Sequence, residues 1–124
     1  MQVKTKEEIV RETVAFYGAD PKGRRATYSH GTCCNFTDDG RMCAFARCTT
    51  NPRQLEAGSV GSVYVDSEDV MEVLKPEYRV GDRAFWQDVQ HLHDSATHWN
   101  ETGLSDLGYE YVLRTFNINL KEAP

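Results

Sequence analysis

Apolar residues recur at helical spacing in several separate segments, and this periodicity constrains the fold more than any other feature of the sequence. The strongest start signal is Thr5 with Glu8 three residues later, a capping-box pattern that predicts a helix over residues 5–17. Side chains that cap helix N-termini also precede the other periodic segments. The predicted starts are Thr5, Ser67, Asp82 and Ser105, the helix from Ser67 ending before Pro76. Leu107, Tyr111, Val112 and Phe116 are the expected inward residues of the last helix.

Strand-like alternation replaces the helical pattern between residues 31 and 46. The segments TCCNFT and RMCAFA flank Asp38-Asp39-Gly40, which is typical of a three-residue hairpin loop ending in glycine. We therefore predict a β-hairpin over residues 32–46. The alternative for its second arm is a short helix beginning near Met42, because MCAFARC contains good helix formers.

The expected fold class is α+β: one small domain over residues 1–124, with one β-hairpin packed by about four helices. A chain of 124 residues is near the common size of a single domain and buries most of its apolar surface without covalent help. The N-terminal sequence MQVKTKEE has no apolar run behind its positive charges, and no segment approaches the length of a membrane span. We expect a cytoplasmic protein with no membrane partner.

The charge is distributed unevenly along the chain. Residues 1–65 carry nine basic and seven acidic side chains, whereas residues 66–124 carry five basic and twelve acidic ones. The second part is therefore strongly acidic, which disfavours nucleic-acid binding by phosphate neutralisation. An acidic surface is compatible with solubility alone or with docking onto a basic partner surface.

Four cysteines, Cys33, Cys34, Cys43 and Cys48, have spacings that fit no common zinc motif, because no C-x2-C pair is present. We expect them to be buried thiols that pack as small apolar side chains, with no metal bound. A zinc site built from Cys33, Cys43, Cys48 and His30 is the alternative. A cytosolic location disfavours disulfides.

His91, Asp94 and His98 are spaced three and four residues apart, so a continuous helix places them on one stripe. That stripe lies opposite the apolar stripe of Phe85, Val89, Leu92, Ala96 and Trp99, and we expect it to face solvent or a partner. His93 flanks the apolar stripe, where a structural histidine is expected.

The motifs of common enzyme classes do not occur in this sequence. It contains no G-x-S-x-G, no P-loop, no dinucleotide fingerprint and no H-E-x-x-H, so we predict neither catalytic residues nor a cofactor. One alternative function is a Cys/His-dependent hydrolase using Cys33 or Cys43 with His91 or His93 and Asp94. A second is a small-ligand or nucleotide binder, since the basic cluster PKGRR brings Arg24 and Arg25 near Tyr28 and His30.

Two stretches together resemble segments of small uncharacterised bacteriophage and bacterial proteins. CNFTDDGRMCAFARC resembles a segment of the type Cys-x-aromatic, turn, Cys-Ala-x-x-Arg-Cys, and DVQHLHDSATHWNETGLSDLGYE resembles a Leu-His-Asp, Trp, Gly-Leu-Ser segment. The positions that match these patterns are Cys34, Cys43, Arg47, His93, Asp94 and Trp99. An arginine after an apolar stretch is suited to a buried carboxylate, and we predict that Arg47 pairs with Asp94.

The resemblance implies a small phage-type accessory protein that acts by protein–protein binding. The expected partner is a host or defence-system protein, which this protein would inhibit in the host cell cytoplasm. The expected contacts lie in the acidic second part of the chain. They are Trp86, His91, His98 and Tyr109.

Overall fold

The structure is a computed structural model, and it describes residues 2–26, 41–50 and 72–122. Helices predominate in these ranges, with one short antiparallel hairpin, so the α+β class is confirmed. The elements in chain order are α1 (Lys6–Gly18), α2 (Pro21–Arg24), α3 (Ala44–Arg47), a 3₁₀ turn (Pro76–Tyr78), α4 (Arg83–Asp94), a 3₁₀ turn (Ala96–His98), β1 (Trp99–Asn100), β2 (Gly103–Leu104) and α5 (Asp106–Phe116).

Three of the predicted helix starts are confirmed by their capping hydrogen bonds. Thr5 and Glu8 form the full capping box, each backbone N–H donating to the other side chain at 3.0 Å. The Asp82 carboxylate accepts from the backbone N–H of the third residue of α4 at 2.9 Å. The Ser105 hydroxyl accepts from Gly108 N–H at 3.1 Å. Each cap satisfies an N–H group that has no partner within the helix.

The predicted strand over residues 41–46 is wrong, and the alternative helical interpretation is correct in kind. Residues Ala44–Arg47 form the single turn α3, and the Cys43 sulfur caps it by accepting from Ala46 N–H at 3.3 Å. Good helix formers and a side-chain cap therefore outweigh the alternation that the sequence suggested. The proposed first arm and the Asp38–Gly40 turn lie outside the described residues.

The hairpin in the described ranges lies elsewhere, between α4 and α5. Trp99 pairs with Leu104 and Asn100 with Gly103, in antiparallel register. The Asn100 side chain accepts from Thr102 N–H at 2.9 Å, which stabilises the tight turn between the strands.

The predicted helix ending before Pro76 is not present over residues 72–75. Leu74 instead forms an isolated antiparallel bridge with Thr49, and Pro76 begins a 3₁₀ turn. The bridge connects residues 25 positions apart, a pairing that local periodicity does not reveal. Residues 60–71, which include the predicted strand and the start of that helix, lie outside the described residues.

The core forms where α1, α3 and α4 meet. Phe45 of α3 packs edge to face on Trp86 of α4 at a centroid distance of 5.9 Å. From α1, the Tyr17 hydroxyl donates to the Met42 carbonyl at 2.5 Å, which ties the residues before α3 to the end of α1. The largest fully buried side chains are Trp86, Tyr17, Phe45, Ile9, Leu74, Leu92 and His93.

Helix α5 contacts the rest of the molecule through a small residue. A Cβ atom at Gly108 would lie 2.4 Å from Leu104 Cδ1 and 2.5 Å from the His98 carbonyl oxygen, so the helix approaches closely there. Gly108 and Val112 are buried, and Leu107, predicted to point inward, is 56% exposed. The close approach at Gly108 fixes the rotation of α5 and turns Leu107 outward.

Candidate functional site

The C-terminal end of α4 carries the His93–Asp94 pair that the sequence singled out. His93 is fully buried, and its Nδ1 lies 2.7 Å from Asp94 Oδ1. Its Nε2 accepts from the backbone N–H of Ala26 at 3.1 Å. Burial lowers the pKa of His93, and the Asp94 carboxylate opposes that effect. His93 is thus a neutral imidazole with its proton on Nδ1, and both nitrogens are engaged.

Asp94 also connects α4 to α3 through Gln90. The Gln90 side chain donates to Asp94 Oδ1 at 2.7 Å and accepts from Phe45 N–H at 3.0 Å. A buried amide that satisfies two elements at once favours one packing arrangement. This network gives Asp94 a structural role, as the sequence suggested for a His-Asp at a helix end.

Cys43 lies in the same region as His93 and Asp94, so the residue types of a Cys/His hydrolase are brought together. Their chemical state does not suit nucleophilic catalysis. Burial raises the pKa of the Cys43 thiol to about 12, and the Asp94 charge adds to this. The nitrogen of His93 that would accept the thiol proton already accepts from Ala26.

The predicted pairing of Arg47 with Asp94 is wrong, because Arg47 pairs with Glu12 of α1. Arg47 Nη1 lies 2.8 Å from Glu12 Oε1, and the Tyr78 hydroxyl donates to the same oxygen. Lys4 Nζ approaches Oε2 at 3.0 Å. Burial acts to raise the pKa of Glu12, but hydrogen bonds from Tyr78, Arg47 and Lys4 outweigh it and lower the pKa to about 2.

The expected stripe of His91, Asp94 and His98 does not form, because α4 ends at Asp94. His98 lies in the following 3₁₀ turn, is 6% exposed, and its Nδ1–H donates to the Leu92 carbonyl at 3.1 Å. Its expected exposure is therefore wrong, whereas His91 is exposed as predicted. The two rings lie 5.5 Å apart by centroids.

Neither tryptophan is available as a surface contact. Trp86 was expected to be an exposed contact for a partner, but it is fully buried, with Nε1–H donating to the Val80 carbonyl at 3.0 Å. The Trp99 side chain is also buried and donates to the Leu92 carbonyl at 3.0 Å. Trp99 thus anchors β1 to the end of α4, a packing role for this motif residue.

The basic cluster is used for internal contacts. Arg24 donates to the Phe16 carbonyl at 3.0 Å and lies 4.6 Å from the Phe16 ring. Arg25 donates to the carbonyls of His93 and Asp94 at 2.8 and 3.1 Å, which satisfies the last carbonyls of α4. The two arginines therefore serve the ends of different helices. Tyr28, His30 and Cys34 lie outside the described residues.

A shallow groove lies between the outer side of α5 and the segment that follows it. Its volume is about 440 Å³. We call it the α5 groove, and it is lined by Asp106, Tyr109, Glu110, Leu113, Asn119, Leu120 and Lys121. Leu113 is 49% exposed here, and the Lys121 ammonium lies 5.3 Å from the centre of the Tyr109 ring.

Tyr109 is the only expected contact for a partner that lines the α5 groove. Leu113 and Leu120 were missed, although Leu113 follows Tyr109 by four residues and so shares its side of the helix. That spacing was the available signal. It was obscured because apolar residues occur around much of α5, so periodicity alone did not separate inward from outward positions.

In the described ranges, no helix is both long and apolar enough to cross a membrane, and no three side chains of His, Cys, Asp or Glu are arranged to hold a metal ion. The chain was also compared with protein-family models, curated protein sequences and solved structures. It matches none of them.

Proposed function

We propose that the protein acts by binding another protein through the α5 groove. The observation that carries this proposal is Leu113, a large apolar side chain left 49% exposed in a groove of about 440 Å³. Tyr109 and Leu120 extend its apolar lining, and Asp106 and Glu110 supply acidic groups at its edge. Apolar side chains surrounded by polar ones are the usual composition of a protein interface.

The charge of the chain indicates the character of the partner surface. Residues 66–124 carry twelve acidic and five basic side chains, and α5 belongs to this part. An excess of carboxylates steers a basic partner surface toward the groove and disfavours acidic competitors. We therefore propose a partner that places an apolar side chain against Leu113 and basic groups near Asp106 and Glu110.

The resemblance to small bacteriophage and bacterial proteins supports a bacterial partner. On that basis, we propose that the partner is a host or defence-system protein and that the bound protein inhibits it by covering one of its functional surfaces. The internal engagement of His93 and Arg25, together with the protonated Cys43 thiol, gives less support to hydrolysis or nucleotide binding.

Site-specific photo-cross-linking in bacterial cells tests this proposal. A photoreactive phenylalanine analogue is placed at position 113 in one variant and at position 107 in a matched control. Leu107 is also an exposed leucine of α5, at 56%, but it does not line the groove. We expect one defined protein to cross-link from position 113 and not from position 107.

Leu113→Asp and Leu107→Asp then test the energetics with the purified partner. Loss of an interfacial leucine contact costs about 2 kcal/mol, or roughly thirtyfold in Kd, so only Leu113→Asp should weaken binding to this extent. Equal effects of the two variants, or cross-linking only to a second copy of this chain, would rule out the proposed interface.

A further inference from the structure

A second concave site lies where the start of α1, the start of α4 and the end of α5 meet. Its volume is about 470 Å³. We call it the aromatic pocket, and it is lined by Lys6, Glu7, Asp82, Ala84, Phe85, Asp88, Thr115, Phe116, Asn117 and Ile118. It combines two phenyl rings with three carboxylates, a composition that suits a cation with a flat or apolar body.

The apolar part of the pocket comes from Phe85 and Phe116. Their rings pack edge to face, with centroids 5.9 Å apart and an interplanar angle of 75°. The Lys6 ammonium lies 5.6 Å from the centre of the Phe85 ring, within the range of a cation–π contact. The protein's own lysine thus shows that this ring is positioned to accept a positive charge.

The acidic part of the pocket contains a carboxylate whose charge is poorly compensated. Burial raises the pKa of Asp88, His91 opposes this, and the nearby Asp82 carboxylate adds to it. The Asp88 carboxylate has no hydrogen-bond or ion-pair partner in residues 2–26, 41–50 and 72–122. Glu7, in contrast, pairs with Arg11 at 2.9 Å. A cation placed between Asp82 and Asp88 would relieve the repulsion between these two groups.

We propose that the aromatic pocket receives an arginine side chain of the partner protein, an inference that rests on the proposed function. A planar guanidinium stacks on a phenyl ring while its separate N–H groups reach two carboxylates, whereas the ammonium of lysine is a point charge. The pocket also lies beside the α5 groove along the chain. Asn117 and Ile118 line the pocket, and the next three residues line the groove.

The pocket can be tested without the partner, using N-acetyl-arginine-N-methylamide as the probe. Its neutral counterpart derived from citrulline has nearly the same shape, and the lysine derivative carries the same charge. Titrations followed by amide chemical shifts at constant ionic strength should show saturable shifts at the pocket for arginine. The expected Kd is about 1–10 mM, as for a few exposed polar contacts.

Asp88→Asn is the principal variant, because this carboxylate holds no capping or ion-pair contact in the described part of the chain. Exposed Glu101, which lines neither site, provides the matched control Glu101→Gln. We expect arginine binding to weaken at least fivefold in Asp88→Asn and to be unchanged in Glu101→Gln. The citrulline and lysine probes should also bind at least fivefold more weakly than arginine.

The inference is overturned by comparable binding of citrulline or lysine, by unchanged binding to Asp88→Asn, or by the absence of saturable shifts up to about 50 mM arginine probe. Failure of the proposed function has a different signature. In that case, the arginine probe binds as expected while the cross-linking patterns from positions 113 and 107 do not differ.

Discussion

The backbone N–H of Ala26 donates to Nε2 of His93 at 3.1 Å, so the imidazole joins the end of α2 to the end of α4. The opposite ring nitrogen lies 2.7 Å from Asp94 Oδ1. These contacts require a neutral ring, because an imidazolium has a proton on both nitrogens and cannot accept from Ala26. A residue pair that suggests catalysis in the sequence therefore serves as a connection between two helices.

Replacing His93 should change how stability depends on pH. Burial lowers the pKa of His93 and also that of His98, so the unfolded chain binds more protons than the folded chain below about pH 6.5. Stability should fall as the pH decreases through this value, by at most about 1.4 kcal/mol per pH unit for each histidine. Urea unfolding of the wild type and His93→Gln at pH 7.5 and 5.5 measures this.

For that experiment, His91→Gln is the control, since His91 is the exposed histidine of the same helix. We expect His93→Gln to be less stable than the wild type at pH 7.5 and to lose less stability on acidification. An identical loss in wild type and His93→Gln would contradict the role assigned to the neutral ring.

Glu12→Gln should be strongly destabilising at neutral pH. The substitution removes the carboxylate that faces Arg47, whose side chain is only 12% exposed, and leaves a largely buried positive charge without its partner. The expected cost is about 2–3 kcal/mol. Glu7→Gln breaks the surface pair with Arg11 and should cost less than about 0.5 kcal/mol in chemical unfolding.

The wild-type Glu12 cluster also has an acid limit. The pKa of Glu12 is lowered from 4.5 to about 2 in the folded protein. Its contribution to stability is therefore complete above the unfolded-state pKa and is lost as the pH falls toward the folded-state value. Acid unfolding should be less steep over this interval in Glu12→Gln than in the wild type. Equal slopes would show that Glu12 is not held ionised by its partners.

Cys43 and Cys48 should resist alkylation in the native protein. Both thiols are buried, and burial raises the pKa of each to about 12. The thiolate fraction at pH 7.5 is thus about three orders of magnitude below that of an exposed cysteine. Iodoacetamide labelling, followed for each cysteine by peptide mass spectrometry, should modify these two residues quickly only in denaturant. Fast native labelling of Cys43 would instead revive the hydrolase alternative.

Gly81→Ala should destabilise the start of α4. Gly81 has a φ of +77°, and a Cβ atom there would lie 2.8 Å from Cδ2 of Phe85. Backbone strain and this contact together should cost about 1–3 kcal/mol in thermal or urea unfolding. Gly18→Ala is the control, because its added Cβ lies 3.9 Å from the nearest atom and the site is helical. It should be neutral or slightly stabilising, and a similar loss in both variants would show that the positive φ is not the cause.

Local sequence signals predicted the helix framework and several individual roles. Thr5, Asp82 and Ser105 were identified as helix starts because a capping side chain and the N–H it accepts from are only three residues apart. His93 was expected to be structural because it flanks the apolar stripe of α4, and its buried hydrogen bonds agree with that expectation.

The errors share a different cause, since each depends on residues that are distant in the sequence. Arg47 pairs with Glu12, which is 35 positions away, and the sequence offered Asp94 as an equally suitable carboxylate. Trp86 was assigned to the surface because periodicity gives the direction of one helix face but not the number of neighbouring elements that cover the helix.

The sequence by itself determined where α1, α4 and α5 begin, the uneven distribution of charge, and the chemical types present near each helix end. Only the tertiary structure decided that Arg47 pairs with α1, that His98 is buried, and that Leu113 remains exposed in a groove. The physical reason is range. Capping and helix periodicity act over a few residues, whereas burial and ion pairing depend on which surfaces meet when distant segments pack.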